Sequence, residues 1–356
     1  RWLDLQKPVE TWIAVRPGDV PATLEAAEAA VANRGLTVAG FVTYEAAAGF
    51  DPALVTHATG DLPAACFAGF EAVTPLAEMP DTNVAESPGS DWLLLTSADA
   101  YAERIETIKQ QIELGNTYQV NFTIRLASVA VPDPWALFVR IAREAPYAAY
   151  IELDKFTIVS ASPELFFELD GAAIRCRPMK GTTDRGMTTA TDRAIAQGLR
   201  ASTKNRAENI MITDMIRNDL GRIADAGSVQ VDAKYAIEKY PTVWQMTSSV
   251  SARTDSSLAD IFGALFPCAS VSGAPKASSM GIIADLEESP REIYTGAIGY
   301  MAPDRKAQFS VPIRTALIDH RTGRGMYGAG GGIVWDSDAH DEYEECRIKS
   351  RILCLL

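Results

Sequence analysis

The sequence predicts an α+β fold built on large, mostly antiparallel sheets with helices packed outside them. Three observations lead there. Helix-like and strand-like stretches come in blocks, without the strict alternation of a doubly wound parallel sheet. Residues 148–177 read as three successive strands, the last a hairpin, and such neighbours pair antiparallel. Finally, the chain has 356 residues, 47% apolar and 22% charged. That is ordinary globular composition and too much chain for one small core, so one large unit or two intimate ones are expected.

The elements follow in chain order. Residues 22–33 are Ala-rich with a helical period, and Arg34-Gly35 offers a C-cap. Residues 37–50 read as a strand running into a turn. From Thr74 to Asp91 the prolines, Gly89 and short polar residues suggest a linker. A boundary near residue 95 therefore separates an N-terminal region, 1–95, from a larger unit, 96–356. Ala98 to Leu114 is an amphipathic helix ended by Gly115-Asn116, and Thr117 to Val131 then alternates as a strand does. Pro134 to Ala145 is a short helix, and Lys204 to Ile223 a strong one. Tyr294 to Tyr300, Phe309 to Ile318 and the stretch before Trp335 are further strands. Asp341 to Leu355 closes the chain as a helix. No internal repeat interrupts this order.

Composition excludes several functions. Net charge is −13, the wrong sign for a general nucleic-acid binder. No apolar run approaches a membrane span, and residues 1–11 hold no signal-peptide core. The sequence begins at Arg1, so it can be part of a longer chain. Five cysteines (Cys66, Cys176, Cys268, Cys346, Cys354) form no CxxC pair, as expected of free thiols in the reducing cytoplasm. With only His57, His320 and His340 available, proton transfer is expected to fall to carboxylates and lysines.

Four patterns carry possible chemistry. If Asp170-Gly171 is a two-residue turn, Leu169 pairs with Ala172 and Glu164 faces Arg177, with Lys180 just beyond. An acid and an amine then share one hairpin end, either as catalytic pair or as surface ion pair. On the helix Lys204 to Ile223, Glu208 shares the apolar face with Met211, Ile212 and Met215. A carboxylate there answers either to the helix dipole or to a metal. Glu345 and Lys349 stand four apart, a spacing common to exposed pairs and to sites. Tyr327 to Val334 (YGAGGGIV) offers successive unobstructed N–H groups, as a turn or as an anion cradle.

Taken together, the blocks TYQVNFT, SASPEL, RPMKGT, RAENIMITDMIRNDLGR, FPCASVSGAPK, YTGAIGY, VPIRTA, GAGGGIV and EYEECRIKSRIL resemble the chorismate-utilising enzymes. That family holds anthranilate, aminodeoxychorismate, isochorismate and salicylate synthases. The blocks run in its order from about residue 98 to the end, and the first 95 residues match only loosely, through GFVTYEA. The resemblance implies the two-layer sandwich of anthranilate synthase component I. It implies Mg²⁺ on Glu208 and Glu345 gripping the ring carboxylate of chorismate. It places Tyr294 and Arg314 on the enolpyruvyl carboxylate, with Ser270, Gly330, Gly331, Gly332 and Lys349 lining the same cleft.

Within the family, water-using members carry a lysine where this chain has Gln119. A lysine at position 180 marks the aminodeoxychorismate synthases, whose product leads to p-aminobenzoate and folate. The implied mechanism has neutral Lys180 attack chorismate while Glu164 protonates the departing hydroxyl, so a lowered amine and a raised carboxyl are expected. Ammonia then displaces the lysine. Gln245 stands where many relatives carry a substrate-orienting histidine. No cysteine has a glutaminase setting, so a separate glutamine amidotransferase subunit is implied. The N-terminal region lacks the segment that forms a tryptophan pocket in feedback-inhibited relatives, so no tryptophan regulation is expected. Two alternatives stay open: an anthranilate synthase component I, and a non-catalytic chorismate-binding subunit.

Overall fold

The structure is a computed structural model that describes residues 2–79, 91–143, 145–240 and 243–354. Among these, two large sheets face each other, every strand pairing antiparallel. The larger has ten strands and the smaller seven, with a separate two-stranded ribbon of Trp2–Asp4 and Thr74–Leu76.

The ten-stranded sheet joins distant parts of the sequence. Thr37–Val42 pairs on one edge with Ala65–Phe70 and on the other with Ala297–Ala302. Three strands from the N-terminal region, Glu10–Ala14, Thr37–Val42 and Ala65–Phe70, thus extend the sheet that also carries the hairpin Leu165–Asp170 and Ala173–Arg177. The seven-stranded sheet is centred on Gln119–Ser128 and the glycine strand Gly325–Ile333, paired over nine positions.

Three apolar clusters explain the layering. Leu24, Ile212, Phe262 and their neighbours bury one face of the ten-stranded sheet under helices. Tyr101, Ile105, Leu137 and Cys346 do the same for the outer face of the seven-stranded sheet. Between the sheets, Phe41 and Ile298 from one meet Phe156, Ile158 and Leu317 from the other. Alternation along each strand sends one set of side chains inward and one outward, which is why the helices end up outside. Each such aromatic or branched side chain contributes about 1.5–3 kcal/mol on burial.

Local signals account for the element ends. Gly35 is left-handed, with φ 67°, and closes Val20–Arg34. Ser202 caps Thr203–Gly221, its hydroxyl accepting from the Asn205 amide. Asp338 caps Ala339–Ser350 in the same way.

Several expectations need correction. The hairpin turns at Gly171-Ala172, since Asp170 pairs with Ala173 and Leu169 with Ile174. Gly171, with φ 59°, takes the left-handed position that only glycine adopts freely. An irregularity beyond Glu168 then sets Leu165 opposite Arg177, leaving Glu164 one residue outside the ladder. Phe309 to Ile318 is two strands in different sheets, Lys306–Ser310 and Thr315–Asp319. Pro312, which has no N–H to pair, and Arg314, at φ 53°, turn the chain between them. A helix at Thr189–Ala201 was not expected. Of the expected linker, Thr74–Leu76 is a strand, and residues 80–90 lie outside the described residues. No described helix is long and apolar enough to cross a membrane.

Candidate functional site

The site forms where the hairpin end of the large sheet meets the glycine strand of the small one. Glu164 lies just past the strand Phe156–Ser162 and is 3% exposed. Its backbone is tied on both sides: its carbonyl accepts from Val311 N at 3.1 Å, and its N–H donates to Ser162 Oγ at 3.2 Å. Its carboxyl accepts from Ser270 Oγ at 2.6 Å. Burial pushes the Glu164 carboxyl up to about 7, with the Ser270 donor and the Lys180 charge pulling the other way.

Lys180 sits on Met179–Asp184, where the ladder with Val243–Arg253 slips by one residue. The half-buried lysine reaches across to the other sheet. A Cβ added to Gly332 would lie 3.0 Å from its Nζ and would collide with the Gln119 amide. Glycine at 332 therefore leaves the space that both side chains fill. Among the described residues Lys180 makes no ion pair, and burial lowers its pKa, with Glu208 acting in the opposite direction and Lys349 adding to the depression. Gln119 is 1% exposed, and its Oε1 has no partner among the described residues. A buried acceptor in that state favours a ligand with an N–H or O–H to donate.

The closing helix Ala339–Ser350 supplies the next groups. Lys349 Nζ donates to Gly330 O at 2.8 Å and pairs with Glu345 at 2.7 Å. Burial works against ionisation of both, but the pairing wins: Glu345 titrates below its ordinary value and Lys349 above its own. One turn earlier, Glu342 is 8% exposed, accepts from Ser337 Oγ at 2.8 Å and lies 2.9 Å from the Cβ position of Gly331. Sequence reasoning passed over Glu342, although its spacing of three from Glu345 puts both on one helix face.

Glu208 comes from Thr203–Gly221 and is half-buried, and its charge reaches Lys180. Its neighbours Met211, Ile212 and Met215 pack on the core as the helical period implies. The charges of Glu208, Glu345, Glu164 and Lys349 all reach the lysine amine, and Glu342 acts on Glu345 and Lys349 beside it. Two hard carboxylates of this kind fit a largely hydrated Mg²⁺ completed by substrate oxygen. Among the described residues no group of three or more acidic, histidine or cysteine side chains is arranged for a metal, so any metal here needs that outside help.

Farther along the glycine strand, the Tyr294 ring packs on Gly328, with the Arg125 guanidinium 5.3 Å above it. Burial raises the Tyr294 phenol well above its ordinary range, so it stays a hydrogen-bond donor. Arg314 is half-buried and makes no ion pair among the described residues. Its charge reaches Tyr327, whose hydroxyl donates to Lys349 O at 3.3 Å. A cavity of about 130 Å³ lies beside Tyr294, lined in part by Arg125, Thr315, Leu317 and Gly328. Gln245 is 8% exposed, and its amide is spent on the lysine strand: Nε2 donates to Gly181 O at 3.0 Å, and Oε1 accepts from Thr182 Oγ1 at 2.8 Å.

Comparison with known proteins adds to this geometry. The family model described as chorismate binding enzyme matches residues 56–354. An aminodeoxychorismate synthase of Streptomyces griseus is 40% identical over 263 residues, 72% of this chain and 36% of that protein. An anthranilate synthase component 1 of Haloarcula marismortui is 38% identical over 259 residues, 72% of this chain and 53% of that one. The chain therefore spans between a third and about half of the length of these relatives. Anthranilate synthase component I from Streptococcus pneumoniae superposes with a TM-score of 0.86 over 99% of this chain and 92% of that one, at 22% identity.

Proposed function

The chain belongs to the chorismate-binding enzyme family, and from that premise we propose that it aminates chorismate at C4, giving 4-amino-4-deoxychorismate and water. The observation that carries this reading is Lys180, an amine without an ion-pair partner among the described residues, held at Gly332 where the two sheets meet.

The steps balance without any redox change. The neutral Lys180 amine forms a bond to C2 of chorismate, the ring double bonds shift, and the C4–O bond breaks. Glu164, buried and titrating near 7, gives its proton to the departing hydroxyl, which leaves as water. The new Lys180 ammonium returns one proton to the acid. Ammonia then attacks C4, the double bonds shift back and the bond from C2 to Lys180 breaks; the departing lysine takes one proton, the new C4 ammonium gives one up, and neutral lysine and amine product are left. Gln119, with its orphaned Oε1, accepts an N–H of the ammonia; an amide cannot take a proton from water, which disfavours hydrolysis.

Substrate charge is met by the chain's own groups. Arg314 and the Tyr294 hydroxyl take the enolpyruvyl carboxylate; Lys349 and the Gly330–Gly332 backbone face the ring carboxylate. Glu208 and Glu345 would hold Mg²⁺, which would supply further positive charge against the ring carboxylate. Ammonia comes from a glutamine amidotransferase partner whose glutaminase chemistry lies outside residues 1–356. Support for that lies in the thiols: Cys176, Cys268 and Cys346 are buried, and burial raises each, the opposite of a glutaminase nucleophile.

A second reading, anthranilate synthase chemistry, is favoured by the similarity to the Haloarcula protein. A trapping experiment separates them. Incubated with chorismate and Mg²⁺ but no ammonia, the protein is expected to gain the mass of chorismate less water on the peptide holding Lys180. A Lys180 that stays unmodified after incubation with chorismate and Mg²⁺ in the absence of ammonia overturns the covalent route.

A further inference from the structure

The strand that carries Lys180 is irregular at that residue. Met179 pairs with Thr247, and Thr182 pairs with Gln245. The lysine strand thus advances three residues while its partner advances two, which is a bulge holding Lys180 and Gly181. Gly181 has φ 92°, and a Cβ there would stand 3.1 Å from the Asn205 side chain, so the bulge needs glycine. A bulge leaves backbone groups without ladder partners, and buried ones need a substitute. Here the substitute is a side chain. Gln245 Nε2 takes the Gly181 carbonyl at 3.0 Å, and Gln245 Oε1 takes the Thr182 hydroxyl at 2.8 Å. Gln245 is itself held centrally, because its strand pairs on its other edge through Glu238.

We propose that Gln245 is a positioning residue, whose amide closes the bulge at Gly181 and Thr182 and so holds the Lys180 amine over Gly332. This rests on reading Lys180 as the nucleophile. One donor and one acceptor of the Gln245 amide are engaged on the lysine strand, and its effect on the reaction is assigned to these bonds, through Lys180, with no bond to substrate required. An amide suits the task because it donates and accepts at once. A methionine keeps the volume and loses both bonds. A glutamate keeps the acceptor for Thr182 and sets a carboxylate against the Gly181 carbonyl.

The test uses the full chain, with Gln245→Met, Gln245→Glu and Thr182→Val. Two quantities are measured. One is initial-rate kinetics in chorismate with ammonium and Mg²⁺. The other is the rate at which an amine-acylating reagent labels Lys180 without substrate, read by peptide mass spectrometry with exposed Lys234 as internal standard. Gln245→Met is expected to leave KM within about threefold, lower kcat by about tenfold or more, and raise Lys180 labelling severalfold. Thr182→Val moves both in the same direction by less, and Gln245→Glu falls between Met and wild type. A raised KM with unchanged kcat overturns the proposal, because it marks a substrate contact; so does unchanged labelling of Lys180. If Gln245→Met does not fold, Thr182→Val decides by the same criteria. If the wild type fails to aminate chorismate, the proposed reaction falls, while the labelling rates still judge the clamp.

Discussion

Glu164 and Ser270 show how two buried groups set a working pH. The carboxyl must carry its proton to act as an acid, and its value near 7 places a loss of activity above that pH. Ser270 Oγ donates to the charged form at 2.6 Å, which holds the value down. Ser270→Ala removes that donor, so the carboxyl titrates higher still and the alkaline limb of kcat/KM moves to higher pH. The measurement is a pH–rate profile at fixed free ammonia concentration; a limb that stays or moves down contradicts the assignment of Glu164 as acid. The directions of the Glu164 and Lys180 shifts were expected from the roles the resemblance implied. The Ser270 bond was not, because no spacing shows that residues 106 apart share one hydrogen bond.

At the scale of elements, the glycine strand and the bulge matter most. Gly332 is small because two side chains from different elements occupy the volume of its missing Cβ. Gly332→Ala is expected to displace Lys180 and Gln119 together, lowering kcat by about a hundredfold for a stability loss on the order of 1–3 kcal/mol. Rate assays and thermal unfolding read both; a variant with wild-type kcat contradicts the packing argument. The elements were legible where periodicity is local. The helix around Glu208 and the closing helix stand close to the expected places, since a 3.6-residue period needs no partner. The hairpin register was misread because it depends on which residue takes the left-handed position, and Asp170-Gly171 and Gly171-Ala172 are equally plausible turns on paper. Phe309 to Ile318 was read as one strand because both halves are apolar, while the division between sheets depends on the backbone at Arg314. Gln245 shows the same limit: its side-chain hydrogen-bond partners, Gly181 and Thr182, lie more than sixty positions away.

At the scale of the molecule, two sheets must hold their facing ends in register for the site to exist. A buried network helps to do this. Arg291 pairs with Glu287 at 2.6 Å and donates to the carbonyls of Asn121 and Val271. Its backbone N–H donates to Glu45, in the N-terminal region, at 2.6 Å. The segment leading to Tyr294 is thereby tied to the seven-stranded sheet at Asn121 and to the turn that follows Thr37–Val42 in the ten-stranded one. Arg291→Met leaves Glu287 buried without its partner and is expected to destabilise the fold by about 3–5 kcal/mol, read by denaturant unfolding. A loss under about 1 kcal/mol contradicts the network's role. The antiparallel α+β class was legible from the order of blocks, whereas this coupling joins residues more than 240 apart and leaves no local trace.

The central claim is that Lys180 makes this chain an aminating enzyme of the chorismate-binding family. Its most direct test is a product assay with purified protein, chorismate, Mg²⁺ and excess ammonium at near-neutral pH, read by mass spectrometry beside Lys180→Ala. The account predicts 4-amino-4-deoxychorismate from the wild type and a fall of about a hundredfold or more in the variant. Anthranilate or isochorismate as product, or a Lys180→Ala enzyme as active as the wild type, contradicts it.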